Sequence, residues 1–216
     1  MLFDSSIAQQ VAEKLLQVEA LRINVKQPFR WSAGWWAPVY CDNRRTLSFP
    51  DVRTFLRDQF VALIRRHFPA VQSIAAVATA GIAHGVLIAD VLHLPFCYVR
   101  PKPKEHGLQQ QIEGILEAGS RVVVVEDLLS TGSSSAQVID VLVNAGAHVE
   151  GLVAIFDYDF EQAHKTLQQK ECVYFTLSNL GALLQAARHH HRLTDEEWAI
   201  IKGWQQQPDR WLPDYS

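Results

Sequence analysis

The stretch from Arg121 to Phe156 constrains the fold most. RVVVV, Arg121–Val125, is a short run of β-branched residues and reads as a buried strand. Val138, Val141, Leu142 and Ala145 then recur at i, i+3, i+4 and i+7, one face of a helix, and Gly146 is placed to stop it. Val149–Phe156 is apolar again and reads as a second strand. A strand, a helix of about 12 residues and a strand form a βαβ unit, so the two strands run parallel and need cover on both faces.

The same rhythm stands upstream. Ile74–Ala78 reads as a strand, Thr79-Ala80-Gly81 as a turn, and Ile82, Val86 and Ala89 as a helix face. Pro95 resets the chain before a strand at Phe96–Val99. Near the start, Asp4, Ser5 and Ser6 can cap a helix bearing Ile7, Val11, Leu15 and Val18. Phe29–Arg44 is aromatic and turn-rich and reads as a hairpin. Pro50 opens a helix with Val52, Phe55, Phe60, Leu63 and Ile64, ending near Phe68-Pro69. Towards the end, Ser178 is placed to cap a helix bearing Leu180, Leu183, Leu184 and Ala187. Thr194 and Glu197 form a capping box ahead of Trp198 and Ile201. Neither repeats nor a low-complexity linker interrupt the 216 residues, so one domain is expected.

Composition excludes several function classes. The formal charge of -3 argues against a nucleic-acid or anionic-membrane partner, so any anion site must be local. No apolar run approaches the ~18 residues of a membrane span, and MLFDSSIAQQ lacks the pattern of a signal peptide. Cys41, Cys97 and Cys172 lie far apart without CxxC spacing, which argues against a disulfide framework or a zinc site and suits a reducing, cytoplasmic compartment. His189, His190 and His191 are adjacent, so on a helix end they point apart rather than converge on a metal.

The chemistry concentrates in VVVVEDLLSTGSSS, Val122–Ser135. In an open α/β sheet, ligands bind at the carboxyl ends of the strands. Glu126–Ser134 is expected there, between a strand and a helix start. The N–H groups of Ser130, Thr131, Gly132, Ser133 and Ser134 would form a phosphate cradle at a positive helix end, with Gly132 letting the backbone come close. GxxxxGK[ST] is absent, so this is not a P-loop. Two carboxylates beside a phosphate cradle suit a ribose 5-phosphate. Glu126 and Asp127 would accept from its 2- and 3-hydroxyls and could stabilise positive charge developing at C1. The plainer reading is a solvated strand end followed by a helix cap. The order strand, acids, small-residue loop and helix favours the functional one.

VVVVEDLLSTGSSS resembles the phosphoribosyl diphosphate (PRPP) motif of the type I phosphoribosyltransferases. SAGWWAPVYCDNRRTLSFP, VATAGIAHG, YVRPKPKEHG, GLVAIFDYDF and LSNLGALLQ fall in the order and spacing of the orotate-specific branch of that family. The resemblance covers nearly the whole chain. It implies an open, twisted, mostly parallel α/β sheet with helices on both faces and a small N-terminal hood, with hood elements within about 1–45 and a core from about 46 to 216. The implied reaction is Mg2+-dependent transfer of ribose 5-phosphate from PRPP to orotate. The wider family leaves two alternatives: another base, such as a purine, or PRPP binding without chemistry.

Residue by residue, the resemblance assigns PRPP binding to Glu126, Asp127, Leu128 and Leu129, to the Ser130–Ser134 loop, and to Thr79, Ala80 and Gly81 through their backbone. Arg100, Lys102, Lys104 and His106 match the basic loop that covers the pyrophosphate, with Lys104, His106 and Asp127 as the catalytic set. Such cations stabilise a leaving group of several negative charges. Pro101 stands where the family often has a lysine. Tyr40 and Ser130 match orotate contacts. Ser32 and Tyr158 stand where some relatives place a lysine and an arginine, and Arg44 reads either as a carboxylate partner or as a surface salt bridge. Trp31, Trp35 and Trp36 read as packing or interface residues. Mg2+ is expected to be held mainly through PRPP, with no direct protein ligand. The implied assembly is a homodimer in which the loop 100–107 reaches the neighbouring site.

Overall fold

The computed structural model describes residues 1–101 and 111–213. Helix α1, Ser5–Gln17, is capped by Asp4, whose carboxylate accepts from the N–H groups of Ser6 and Ile7. Short strands follow: β1 (Leu21–Ile23), β2 (Phe29–Arg30), β3 (Trp36–Ala37) and β4 (Val39–Cys41). The expected hairpin is present as β2–β3, but β4 leaves it and pairs antiparallel with β1. A 3-10 helix, Asn43–Ser48, leads into α2, Pro50–His67, which starts on proline.

The core then alternates. Its elements are β5 (Ser73–Val77), α3 (Gly81–Leu92), β6 (Phe96–Val99), β7 (Ile112–Glu113), β8 (Arg121–Leu129), α4 (Ser133–Asn144), β9 (His148–Asp157), α5 (Glu161–Gln169), β10 (Tyr174–Asn179), α6 (Leu180–His189) and α7 (Asp195–Gln206). Six strands form one sheet in the order β10-β9-β8-β5-β6-β7. All neighbours are parallel except β6 and β7. The sheet is covered on both faces, and the two-residue period of β8 shows it. Val123 and Val125 enter one apolar cluster with α1, α2 and α6 side chains; Val122 and Val124 enter another with Val138, Ile139 and Leu142 of α4.

Several expectations need correction. Strand β8 does not end at Val125: it runs through both acids to Leu129, because β9 keeps pairing with it as far as Leu129 opposite Asp157. The loop is therefore shorter than expected. On α3 the buried face is Gly81, His84, Gly85, Ile88 and Ala89, whereas Val86 is exposed. Small residues win that face because α3 lies close to the sheet; a Cβ on Gly85 would sit 2.7 Å from the Phe96 ring. Ser178 does not cap α6. It lies in β10 and donates to the Ala8 carbonyl, while Asn179 caps α6 by accepting from the Ala182 N–H. The capping box at Thr194 and Glu197 is present, and the three cysteines are free and buried. Among the described residues no helix is long and apolar enough to cross a membrane.

Candidate active site

Two strands of unequal reach open the cleft. β5 and β8 pair only as far as Ala76 opposite Val125, but β8 continues four residues further beside β9. Glu126 and Asp127 occupy this overhang, at the carboxyl end of a parallel sheet where ligands bind.

Glu126 is buried. Its carboxylate accepts from the Ser135 hydroxyl of α4 at 3.1 Å and from the Asp127 N–H at 3.2 Å. Burial, and next the adjacent Asp127 charge, push its pKa well up. Burial also raises Asp127, opposed by a hydrogen bond with Glu126 and, more weakly, by the Arg44 charge. Two acids side by side in low dielectric cannot both ionise freely, so they share protons as one unit. No lysine or arginine stands at ion-pair distance from either acid among the described residues. Their charge is left for hydroxyls or a cation to meet.

The loop after β8 is three residues, Ser130-Thr131-Gly132, before α4 begins at Ser133. Gly132 is the N-cap, with φ +75, a left-handed conformation that an L side chain resists. No side chain caps the helix there, and the Ser133 N–H has only a long 3.5 Å contact with Thr131 Oγ1. The positive end of a 12-residue helix thus retains donors beside the acids. Thr131 and Ser133 join hydroxyls at 3.0 Å. Leu129 is buried, and Leu128 is half-buried and packs against the core.

Thr79 and Ala80 turn at the end of β5, and Gly81 opens α3. A Cβ on Gly81 would fall 2.6 Å from the Val125 carbonyl oxygen, so glycine is what brings this turn against β8. Arg100 follows β6, its guanidinium 3.6 Å from Glu113. A narrow crevice joins Arg100, Pro101 and Gln111 to Ala78 and to Ser134 of α4. The structure therefore brings the acid strand, the serine loop, the Thr79–Gly81 turn and Arg100 to one end of the sheet. Lys102, Lys104 and His106 lie outside the described residues.

The remaining residues come from the N-terminal segment and from the end of β9. Tyr40 is half-buried on β4, its ring 5.4 Å from Phe29 and covered by the Arg22 guanidinium at 5.1 Å. Arg44 takes the salt-bridge role: its Nε donates to Asp42 at 2.6 Å, which holds the Asp42 carboxyl low. Trp31 is a packing residue, 4.8 Å from Tyr158 and edge-on to Trp204 at 5.8 Å. Tyr158 is buried in the same cluster.

Two contacts escaped the sequence reading. Ser135, the last serine of the run, holds Glu126. Asn43 donates from Nδ2 to the Asp127 carbonyl at 2.6 Å, across 84 positions. The first had a local signal, a hydroxyl in the first turn of α4; the second had none.

Comparisons with known proteins bear on the family. A family model for the phosphoribosyl transferase domain matches residues 62–188. An orotate phosphoribosyltransferase from Cytophaga hutchinsonii is 44% identical over 94% of this chain and 97% of its own. Another from Listeria innocua is 43% identical over 95% and 99%. Among solved structures, orotate phosphoribosyltransferase from Aeropyrum pernix superposes with a TM-score of 0.74 at 29% identity, covering 83% of this chain and 98% of that one. The chain belongs to the orotate phosphoribosyltransferase family.

Proposed function

We propose that the protein transfers ribose 5-phosphate from PRPP to N1 of orotate, releasing orotidine 5'-phosphate and pyrophosphate. The observation that carries this reading is the placing of Glu126 and Asp127 on the β8 overhang beside the uncapped start of α4. An uncapped helix end takes a dianion, and a buried acid beside a half-buried one, with no cationic side chain at ion-pair distance among the described residues, takes hydroxyls. A pentose 5-phosphate offers both. Near-full-length relatives named for orotate favour that base over a purine.

In this reading the backbone of Ser130–Ser134 holds the 5-phosphate, and Glu126 and Asp127 accept from the ribose hydroxyls. The Thr79–Gly81 backbone and Arg100 receive the pyrophosphate. Lys102, Lys104 and His106 cover it, with Lys104, His106 and Asp127 as the catalytic set. Breaking C1–O early gives the ribose positive charge, which the ionised form of the acid pair stabilises. Covalent nucleophilic catalysis is not required. Ser130 and the Tyr40 hood are assigned to orotate.

Magnesium fits this donor set. It would be held mainly through PRPP oxygens and water rather than by a direct protein ligand, and the nearby carboxylates add negative charge that favours a hard cation keeping such a shell. When bound with PRPP, it would offset the charge of the leaving pyrophosphate. We also assign a cytoplasmic location, one domain with a hood within about 1–45 on a core of about 46–216, and a homodimer that shares the loop 100–107.

The test is ultraviolet absorbance of orotate with PRPP and Mg2+. Orotate consumption that requires both supports the reading. Equal PRPP turnover with no base present would refute it.

A further inference from the structure

We propose that Asn43 is a positioning residue, standing in for a missing strand to hold Asp127 in the cleft. The inference rests on the reading of Asp127 as a ribose ligand.

Past Val125, β8 has lost β5 as a neighbour on one flank and keeps only β9 on the other. Adjacent residues of a strand turn their N–H and C=O groups to opposite flanks, so the overhang leaves backbone groups without a ladder partner. The Asp127 carbonyl is met instead by Asn43 Nδ2 at 2.6 Å. Asn43 has no exposed surface, and its own carbonyl accepts from the Thr46 hydroxyl at 2.6 Å within the same 3-10 turn. The other amide atom, Oδ1, is buried without a hydrogen-bond partner. A residue kept only for volume would not carry a buried, unsatisfied acceptor, because an apolar side chain of that size would avoid the cost. The donor at Nδ2 accounts for the amide. Fixing the Asp127 peptide fixes the direction of its Cα–Cβ bond, and so where the carboxylate meets the ribose.

The test compares Asn43→Ala, Asn43→Asp and Thr46→Val with the wild-type protein. PRPP affinity is measured by calorimetry between about pH 5.5 and pH 8, so that a carboxyl protonated at the acid end can be told from one ionised at the other. Amide exchange is followed at Asp127–Leu129. Asn43→Ala should weaken PRPP about tenfold, as expected for one hydrogen bond to a buried group, and speed that exchange. Asn43→Asp keeps the volume but loses the donor. It should be at least as weak as Asn43→Ala at pH 8 and recover relative to wild type as pH falls, since a protonated carboxyl donates again. Thr46→Val should lower the melting temperature while PRPP affinity stays within about twofold, because the Nδ2 donor remains.

Unchanged affinity in Asn43→Ala, a mild Asn43→Asp with no pH recovery, or an equal loss in Thr46→Val would overturn the proposal. Failure of the wild-type protein to bind PRPP would overturn the ribose reading as well, whatever the variants do to exchange.

Discussion

The Ser135 hydroxyl donates to Glu126 Oε2 at 3.1 Å and ties the first turn of α4 to the acid strand. Both residues are buried, and the bond favours the ionised acid against burial. Ser135→Ala should cost roughly 1–3 kcal/mol of stability by thermal denaturation. It should also push the Glu126 carboxyl further up, because the interaction that lowers it is gone. In the proposed function PRPP binds the ionised pair, so its acid limb should move to higher pH in this variant. An acid limb that stays in place or moves down would count against Glu126 as a ribose ligand.

Gly81 and Gly203 make opposite predictions for the same substitution. A Cβ at Gly81 meets the Val125 carbonyl oxygen at 2.6 Å, a backbone atom with little freedom to yield. Gly81→Ala should destabilise by roughly 1–3 kcal/mol and raise KM for PRPP by displacing the turn. Gly203 lies in α7 with nothing near its missing Cβ, so Gly203→Ala should stabilise by about 0.5–1 kcal/mol. Melting curves of the two variants settle both signs.

Asp157 ends β9 beside Asp159 and His164, with ligand atoms of all three within 4.8 Å. Burial, then the Asp159 charge, raise its carboxyl to about 7 from an ordinary 3.8. The folded protein therefore holds a proton there that the unfolded chain has lost, and stability falls as pH rises from about 4 to 7, levelling above. Asp157→Asn should gain stability over wild type through that window, by at most ~4 kcal/mol at pH 8. Denaturant melts at pH 5 and pH 8 read the difference, and an advantage that does not grow with pH would refute the raised value.

Loop sharing has a direct genetic test. A Lys104→Ala chain lacks a cation assigned to the pyrophosphate and an Asp127→Asn chain lacks an acid assigned to the ribose. If each loop serves the neighbouring site, mixed dimers contain one site with both residues intact. Mixing the two inactive chains under conditions of exchange should restore roughly a quarter of wild-type activity, one good site in half of the dimers. No recovery would mean that each chain completes its own site.

Legibility followed hydrophobic period and local chemistry. β5, β6, β8 and β9 were readable because buried parallel strands are apolar runs, and α4 because its apolar stripe is regular. α5 was not, since EQAHKTLQQ buries only Ala163 and Leu167. β10 was missed because Tyr174–Asn179 mixes polar Thr176 and Ser178 into a strand whose polar groups are satisfied from elsewhere, as when Ser178 donates to the Ala8 carbonyl. The two-residue β7 is too short to carry a period. At the candidate site, the acids and the serine loop were picked out by residue type and order. Asn43 did not, because its partner is 84 residues away and a strand overhang is a property of the assembled sheet.

The most direct measurement is a crystal structure with ribose 5-phosphate bound. Electron density for the phosphate on the Ser130–Ser134 backbone, with the sugar hydroxyls on Glu126 and Asp127, is the expected result. The sugar phosphate bound elsewhere, with Glu126–Ser134 vacant, would contradict it.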